Sequence, residues 1–216
     1  MKGSVLIEKV ISFLKDCSYQ DIPRVAKENS IRSFIDILGV AASATQTELS
    51  KIIRQHCASY YLHNPNISKP SSIWFDGRLV NSIGATLANA MTIDALDAHD
   101  GQKLTKGHVG CGVTPSLIEF MQSEGNMDPK TFLSNLIIGY EIGTRAGISL
   151  HQTTNDYHTS GAWISLACAG IGSNILNLSH SQTREAFGIA EYHGPRSQMM
   201  RCIDHCLLYT SAAADE

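Results

Sequence analysis

The stretch "DPKTFLSNLIIGYEIGTRAGISL", Asp128 to Leu150, decides the fold. Asp128 suits a helix N-cap, and Pro129 suits the first turn, where its missing N–H has no intrahelical bond to lose. The apolar run that follows predicts one long helix. Gly139, Gly143 and Gly147 recur every four residues along it. That spacing draws a slowly drifting stripe on one face and invites close packing of neighbouring helices. In a membrane it would suggest a dimerisation face, but Glu141 and Arg145 argue for a soluble interior.

Helical signals continue on both sides. Upstream, "TPSLIEFMQSEG" (114–125) predicts a short helix with proline near its start and Gly125 at its end. Ser82 to Asp100 reads as a helix of small and apolar residues, with Gly101 as its stop. "SIWFDGRLV" (72–80) surrounds an Asp-Gly pair with aromatic and β-branched residues, and reads as a small hairpin or an extended approach to a helix. Thr47 to Leu62 is a helix, and so is the wide apolar face that follows Pro23. The N-terminal "MKGSVLIEKVISFLKDC" mixes Val10, Ile11 and Leu14 with Glu8, Lys9 and Lys15, so it predicts an amphipathic helix and no signal-peptide core. Downstream, the loop 151–161 leads into a small-residue helix, and "SHSQTREAFGIAEYHG" (179–194) opens on serines suited to capping. The expected fold class is all-α.

The 216 residues are 43% hydrophobic and 17% charged, an ordinary globular composition. A formal net charge of −3 offers no broad cationic surface for nucleic acid, and no window is long and apolar enough to span a bilayer. Six cysteines lack the short paired spacings of a zinc site or the density of a disulfide scaffold, so reduced thiols in a cytoplasmic protein are expected. The ending "CLLYTSAAADE" (206–216) breaks the pattern and resembles translated adapter sequence. It is therefore read as a non-native tail, with residues 1–205 forming an incomplete helical domain that continues past His205.

Titratable groups gather in "IDALDAHDGQKLTKGHVGCGVTP", Ile93 to Pro115. Asp94 and Asp97 stand three apart, so on a helix both carboxylates would share one face. Near the C-terminus of that helix the negative dipole end would raise their proton affinity. His108 lies among glycines that let a ligand approach, while Lys103, Lys106 and His99 are placed to face an anion. A second cluster, "NDYHTSGAW" (155–163), sets His158 before a helix whose free amides can hold a carboxylate. A metal on His99, Asp100 and His108 lacks a compact ligand signature, and no phosphate loop, dinucleotide fingerprint or serine elbow is present. Each acid or histidine taken singly also has a plain reading, as an ion pair or a satisfied loop side chain.

Taken together, "FIDILGVAAS", "GATLANAMTIDALDAHDG", "GHVGCGVTPSLIEF", "IIGYEIGTRAG", "YHTSGAW" and "REAFGIAEYHG" resemble the MmgE/PrpD family, which includes 2-methylcitrate dehydratase and cis-aconitate decarboxylase. The resemblance covers roughly Ile22 to His205. It implies an all-helical N-terminal domain, followed in complete members by a smaller α/β domain. It implies a site without metal or cofactor that acts on di- or tricarboxylates, in a homodimer. By position, Asp97, His108 and His158 match the family's active-site aspartate and two histidines. Where family members carry Asp-x-Asp-Asp-Thr, this chain reads Asp97-Ala98-His99-Asp100-Gly101, so a threonine contact is missing. The lysine those enzymes use later has no counterpart, since no lysine follows Lys130.

The expected activity is that of a lyase moving a proton α to a carboxylate. His108 or His158 would exchange the proton, Asp97 would orient a histidine, and Lys103 or Arg196 would hold a substrate carboxylate. An epimerase of the same family, a non-catalytic helical scaffold and a metal-dependent hydrolase remain as other readings.

Overall fold

The computed structural model describes residues 2–67 and 69–194. Among them are eight helices: α1 (Lys2–Asp16), α2 (Arg24–Ala44), α3 (Glu48–Tyr60), α4 (Ser82–Asp94), α5 (Gly110–Glu124), α6 (Pro129–Thr153), α7 (Gly161–Ile175) and α8 (His180–His193). Two antiparallel pairs of two-residue strands interrupt them, β1 (Ser71–Ser72) with β2 (Leu79–Val80), and β3 (Gly101–Gln102) with β4 (Gly107–His108). The all-α class read from the sequence is the class observed. No helix among the described residues is long and apolar enough to cross a membrane. Arg196 and the 206–216 tail lie outside the described residues.

Caps set the helix starts where the sequence placed them. The Asp128 carboxylate accepts from the Thr131 N–H at 2.8 Å, and the Thr47 hydroxyl accepts from the Ser50 N–H at 3.2 Å. Ser179 and Gln182 form a reciprocal capping box at α8.

The long helix α6 is the spine. A Cβ added at Gly139 would stand 2.6 Å from Val113 Cγ1 of α5 and 3.2 Å from Ile171 Cγ2 of α7. At Gly143 it would meet Val109 and Ala167, and at Gly147 Trp163 and Thr105. The glycine stripe is thus the seam on which α5, α7 and the segment before α5 close. Trp163, Leu136, Ile138, Leu117 and Ile171 fill the core around it. Gly139→Val is expected to destabilise the protein by about 1–3 kcal/mol through overpacking. A urea midpoint equal to that of the parent protein would contradict this packing.

A second core, with Ile53, Cys57, Ile73 and Val80, lies between α3, α4 and the β1–β2 hairpin, so the hairpin reading of 72–80 holds. Asn89 of α4 clamps that hairpin, accepting from the Trp74 N–H at 2.8 Å and donating to the Ser72 carbonyl at 3.3 Å.

Two expectations are corrected. The helix read as Ser82–Asp100 ends at Asp94, because Asp97 takes a left-handed backbone with φ of 48°. Asp94 and Asp97 therefore do not share a helix face, and Gly101 opens β3 instead of stopping a helix. Next, α5 begins at Gly110, four residues before the expected Thr114, and takes Pro115 inside it. The chain between is a tight hairpin closed by buried Thr105, whose hydroxyl donates to the Gln102 carbonyl at 2.9 Å and whose N–H donates to the Gln102 side chain at 2.8 Å.

Candidate active site

The hairpin brings the acids after α4 against His108. Asp97 Oδ1 lies 3.0 Å from His108 Nε2, and the Asp100 carbonyl lies 3.0 Å from His108 Nδ1. Both ring nitrogens thus face acceptors, an arrangement satisfied when the ring donates from each or when one proton is shared with Asp97. The pair is accessible, with 21% of the His108 side chain and 33% of that of Asp97 exposed. The backbone N–H of His108 donates to Ser160 Oγ at 3.1 Å, so Ser160 serves β4 and does not cap its own helix α7. Gly107 makes that approach possible, since a Cβ there would collide with the Ser160 hydroxyl.

His99 packs beneath this pair. Its ring stacks on that of His108 with centroids 4.0 Å apart. Its side chain is fully buried, and burial followed by the charge of His108 pushes its pKa down to about 3. His99 is therefore neutral and buried, which corrects the expectation that it faces an anion. Its Nε2 stands 3.4 Å from Asp94 Oδ1, outside hydrogen-bond geometry.

The remaining carboxyls differ in what they feel. Burial holds Asp94 above the ordinary carboxylate range, with the Asp97 charge adding to the shift and that of His108 opposing it. The cause is chiefly desolvation and not the helix dipole expected from the sequence. Burial likewise raises Asp100, opposed first by the Tyr140 hydroxyl and then by the Gly110 N–H that donates to its Oδ2 at 3.3 Å. Tyr140 is raised strongly by burial and then by the nearby Asp100 charge. The Tyr140 hydroxyl and Asp100 Oδ1 flank Gly110 together and feel each other there. Carboxyls whose folded pKa is raised cost stability once ionised at neutral pH, so this corner of the molecule is not built for stability.

His158 sits in the loop before α7 and is 8% exposed. Its N–H donates to His151 Nε2 at 3.3 Å, while His151 Nδ1 lies 3.0 Å from the Gly147 carbonyl. The pattern assigns His151 the neutral form with its proton on Nδ1. His158 Nδ1 is buried without a partner. The loops of His108 and His158 are tied together by the Ser160 contact and by the Tyr157 hydroxyl donating to the Lys106 carbonyl. His158 itself has no hydrogen bond or ring contact with His108 or Asp97.

Lys103 is exposed in the β3–β4 turn and makes no ion pair among the described residues. Lys106 lies over the Tyr157 ring, 5.7 Å from its centroid. Arg196 is outside the described residues. The sequence reading passed over Ser160 as a link to His108 and the approach of Cys111 to His99 and Asp94. Spacing carries no signal for either, because both arise from the hairpin.

A cavity of about 1060 Å³ lies elsewhere, between α1, α6 and α8, with Val10, Phe13, Ile142 and Phe187 in its walls. Its walls are mainly apolar, with Glu141, Arg145 and Arg184 at their edges, and it holds none of the acids and histidines of the hairpin cluster.

The profile of the MmgE/PrpD N-terminal domain matches residues 8–205. No curated protein matches the chain.

Proposed function

Because the chain belongs to the MmgE/PrpD family, we propose that its protein is a lyase acting on a di- or tricarboxylate by proton transfer α to a carboxylate, carried by side chains alone. The observation that supports this most is the accessible His108 ring, fixed through both nitrogens by Asp97 and the Asp100 carbonyl. A ring so oriented presents one defined nitrogen to a substrate once Asp97 releases it. His108 is the proton carrier in this reading, Asp97 orients it, and His158 is the second carrier on the adjoining loop.

Two carriers suit the reactions of this class. In a dehydration one takes the α-proton and the other gives a proton to the departing hydroxyl, so that water leaves and a double bond forms. In a decarboxylation the carbon–carbon bond breaks, carbon dioxide leaves and the carbon receives a proton. An epimerase would take the proton from one face and return it to the other. The enediolate-like charge that develops needs cations placed in advance. Lys103 is assigned to a substrate carboxylate, as is Arg196.

Lys103→Ala is expected to raise KM about tenfold with kcat little changed, the loss of about 1.4 kcal/mol of binding. Unchanged KM would remove Lys103 from the site. The function itself is tested by incubating the protein with a panel of di- and tricarboxylates and following substrates by NMR. Loss of water or carbon dioxide, or inversion at a carbon α to a carboxylate, is the expected result. No turnover of any member, together with a homodimer by light scattering, would favour the scaffold reading. A homodimer in the cytoplasm belongs to the proposal in either case.

A further inference from the structure

We propose that Asp94, His99 and Cys111 form a binding site for one divalent transition-metal cation of the zinc class, beside the Asp97–His108 pair. The three come from the last residue of α4, the loop after it and the first turn of α5. One ligand atom from each lies within 4.8 Å of the other two.

The independent observation is the state of His99. The residue is 5% exposed, and neither ring nitrogen has a hydrogen-bond partner. A buried imidazole with both nitrogens unsatisfied has lost its hydration without compensation, which is rare in a folded protein. Its Nε2 stands 3.4 Å from Asp94 Oδ1 but is not aligned for a hydrogen bond. That separation is, however, about the edge between two ligands in a tetrahedral site with bonds of about 2.0–2.1 Å. The Cys111 sulfur lies within 4.8 Å of both and supplies the third, zinc-type bond of about 2.3 Å.

The donor set chooses the ion. Calcium and magnesium take oxygen ligands, whereas imidazole nitrogen, thiolate sulfur and one carboxylate oxygen together suit zinc. Binding releases the Cys111 thiol proton to solvent, and the cation must overcome the burial, followed by the Asp94 and Asp100 charges, that holds the free thiol protonated. A water completes the fourth position on the open side of Asp94, whose side chain is partly desolvated yet 47% exposed.

A rival set, Asp97, His99 and His108, also lies within 4.8 Å. Its two rings are stacked at 4.0 Å with 30° between their planes. Ring-nitrogen lone pairs lie in the ring plane, so stacked rings do not converge on one cation. His108 also has both nitrogens engaged already. The proposal does not depend on the proton-transfer reading, and its test reads no catalytic activity.

The test titrates the reduced, metal-stripped protein with Co2+. One equivalent is expected to give the visible bands of four-coordinate cobalt and a near-ultraviolet thiolate-to-cobalt band, all removed by Zn2+. Cys111→Ser is expected to abolish the thiolate band with circular dichroism unchanged. Asp94→Asn should weaken binding at least about tenfold, the low end for disturbing even an outer-shell partner. His108→Ala should leave the spectrum as it was. Absence of Co2+ binding, a thiolate band that survives Cys111→Ser, or its loss in His108→Ala would overturn the proposal. If Cys111→Ser does not fold, the half-exposed Asp94→Asn variant decides, and unchanged affinity there is equally fatal.

Discussion

His108→Ala is expected to lower turnover of the carboxylate substrate at least about a hundredfold, the low end of what a positioned acid–base group supplies. The loss should fall on kcat, because the imidazole handles a proton and contributes little to holding the ground state. Folding should survive, since the side chain is accessible and packs against the neutral His99 ring and not inside the core. His158→Ala is expected to cost at least as much if the two histidines act as a pair. Asp97→Asn should cost less than either, because an amide oxygen can still accept from His108 and keep the ring oriented. Near-normal turnover by a folded His108→Ala protein, with product chemistry unchanged, would remove the residue from the reaction.

Asp76→Ala has the largest expected effect on stability. Asp76 lies in the β1–β2 turn with 8% of its side chain exposed, and its carboxylate contacts Arg54 at 3.0 Å and Arg78 at 2.5 Å. Arg54, with 12% of its side chain exposed, also donates to the Ser50 carbonyl of α3 at 3.1 Å and to that of Thr45 at 2.6 Å. Removing Asp76 leaves the buried Arg54 charge unpaired, which costs about 3–5 kcal/mol when a buried pair is broken. The low end is expected here because the two carbonyls remain. Arg78 is more exposed and adds little.

The same residue sets a pH dependence. Its hydrogen bond with Arg78, and then the charges of Arg78 and Arg54, hold its pKa below the ordinary carboxylate range in the folded protein, against burial. A lowered folded pKa contributes stability that is present above the unfolded value of about 3.9 and disappears as pH falls through the folded value. The gap in urea midpoint between the parent protein and Asp76→Ala should therefore narrow below about pH 4. A gap under about 1 kcal/mol at neutral pH would reduce the cluster to a surface ion pair.

The helices were legible because their signals are local. Asp128 and Ser179 cap the helices they were expected to cap, Thr47 caps the helix it was read as starting, and the Gly139–Gly143–Gly147 stripe marks where α5 and α7 close on α6. The end of α4 was not legible. A left-handed backbone at a non-glycine residue, as at Asp97, is set by the tertiary packing that follows it. The strands at 101–102 and 107–108 are too short for a period to emerge, so their pairing could not be read. The burial of His99 follows from that hairpin, and with it the neutral state that a polar run such as "DAHDG" gives no reason to expect. Asp97 was expected to orient a histidine, with His108 and His158 both open; that its neighbour is His108 is a product of the fold.

The central claim is that His108 moves a proton α to a substrate carboxylate. The most direct measurement incubates the protein with the di- and tricarboxylate panel in D2O and follows the α-hydrogen by proton NMR, since exchange reports the proton step apart from any later loss of water or carbon dioxide. The account predicts that one class of substrate takes up deuterium at the α-carbon and that His108→Ala abolishes the uptake. Deuterium uptake that His108→Ala leaves at the rate of the parent protein, or no uptake by any member of the panel, would contradict it.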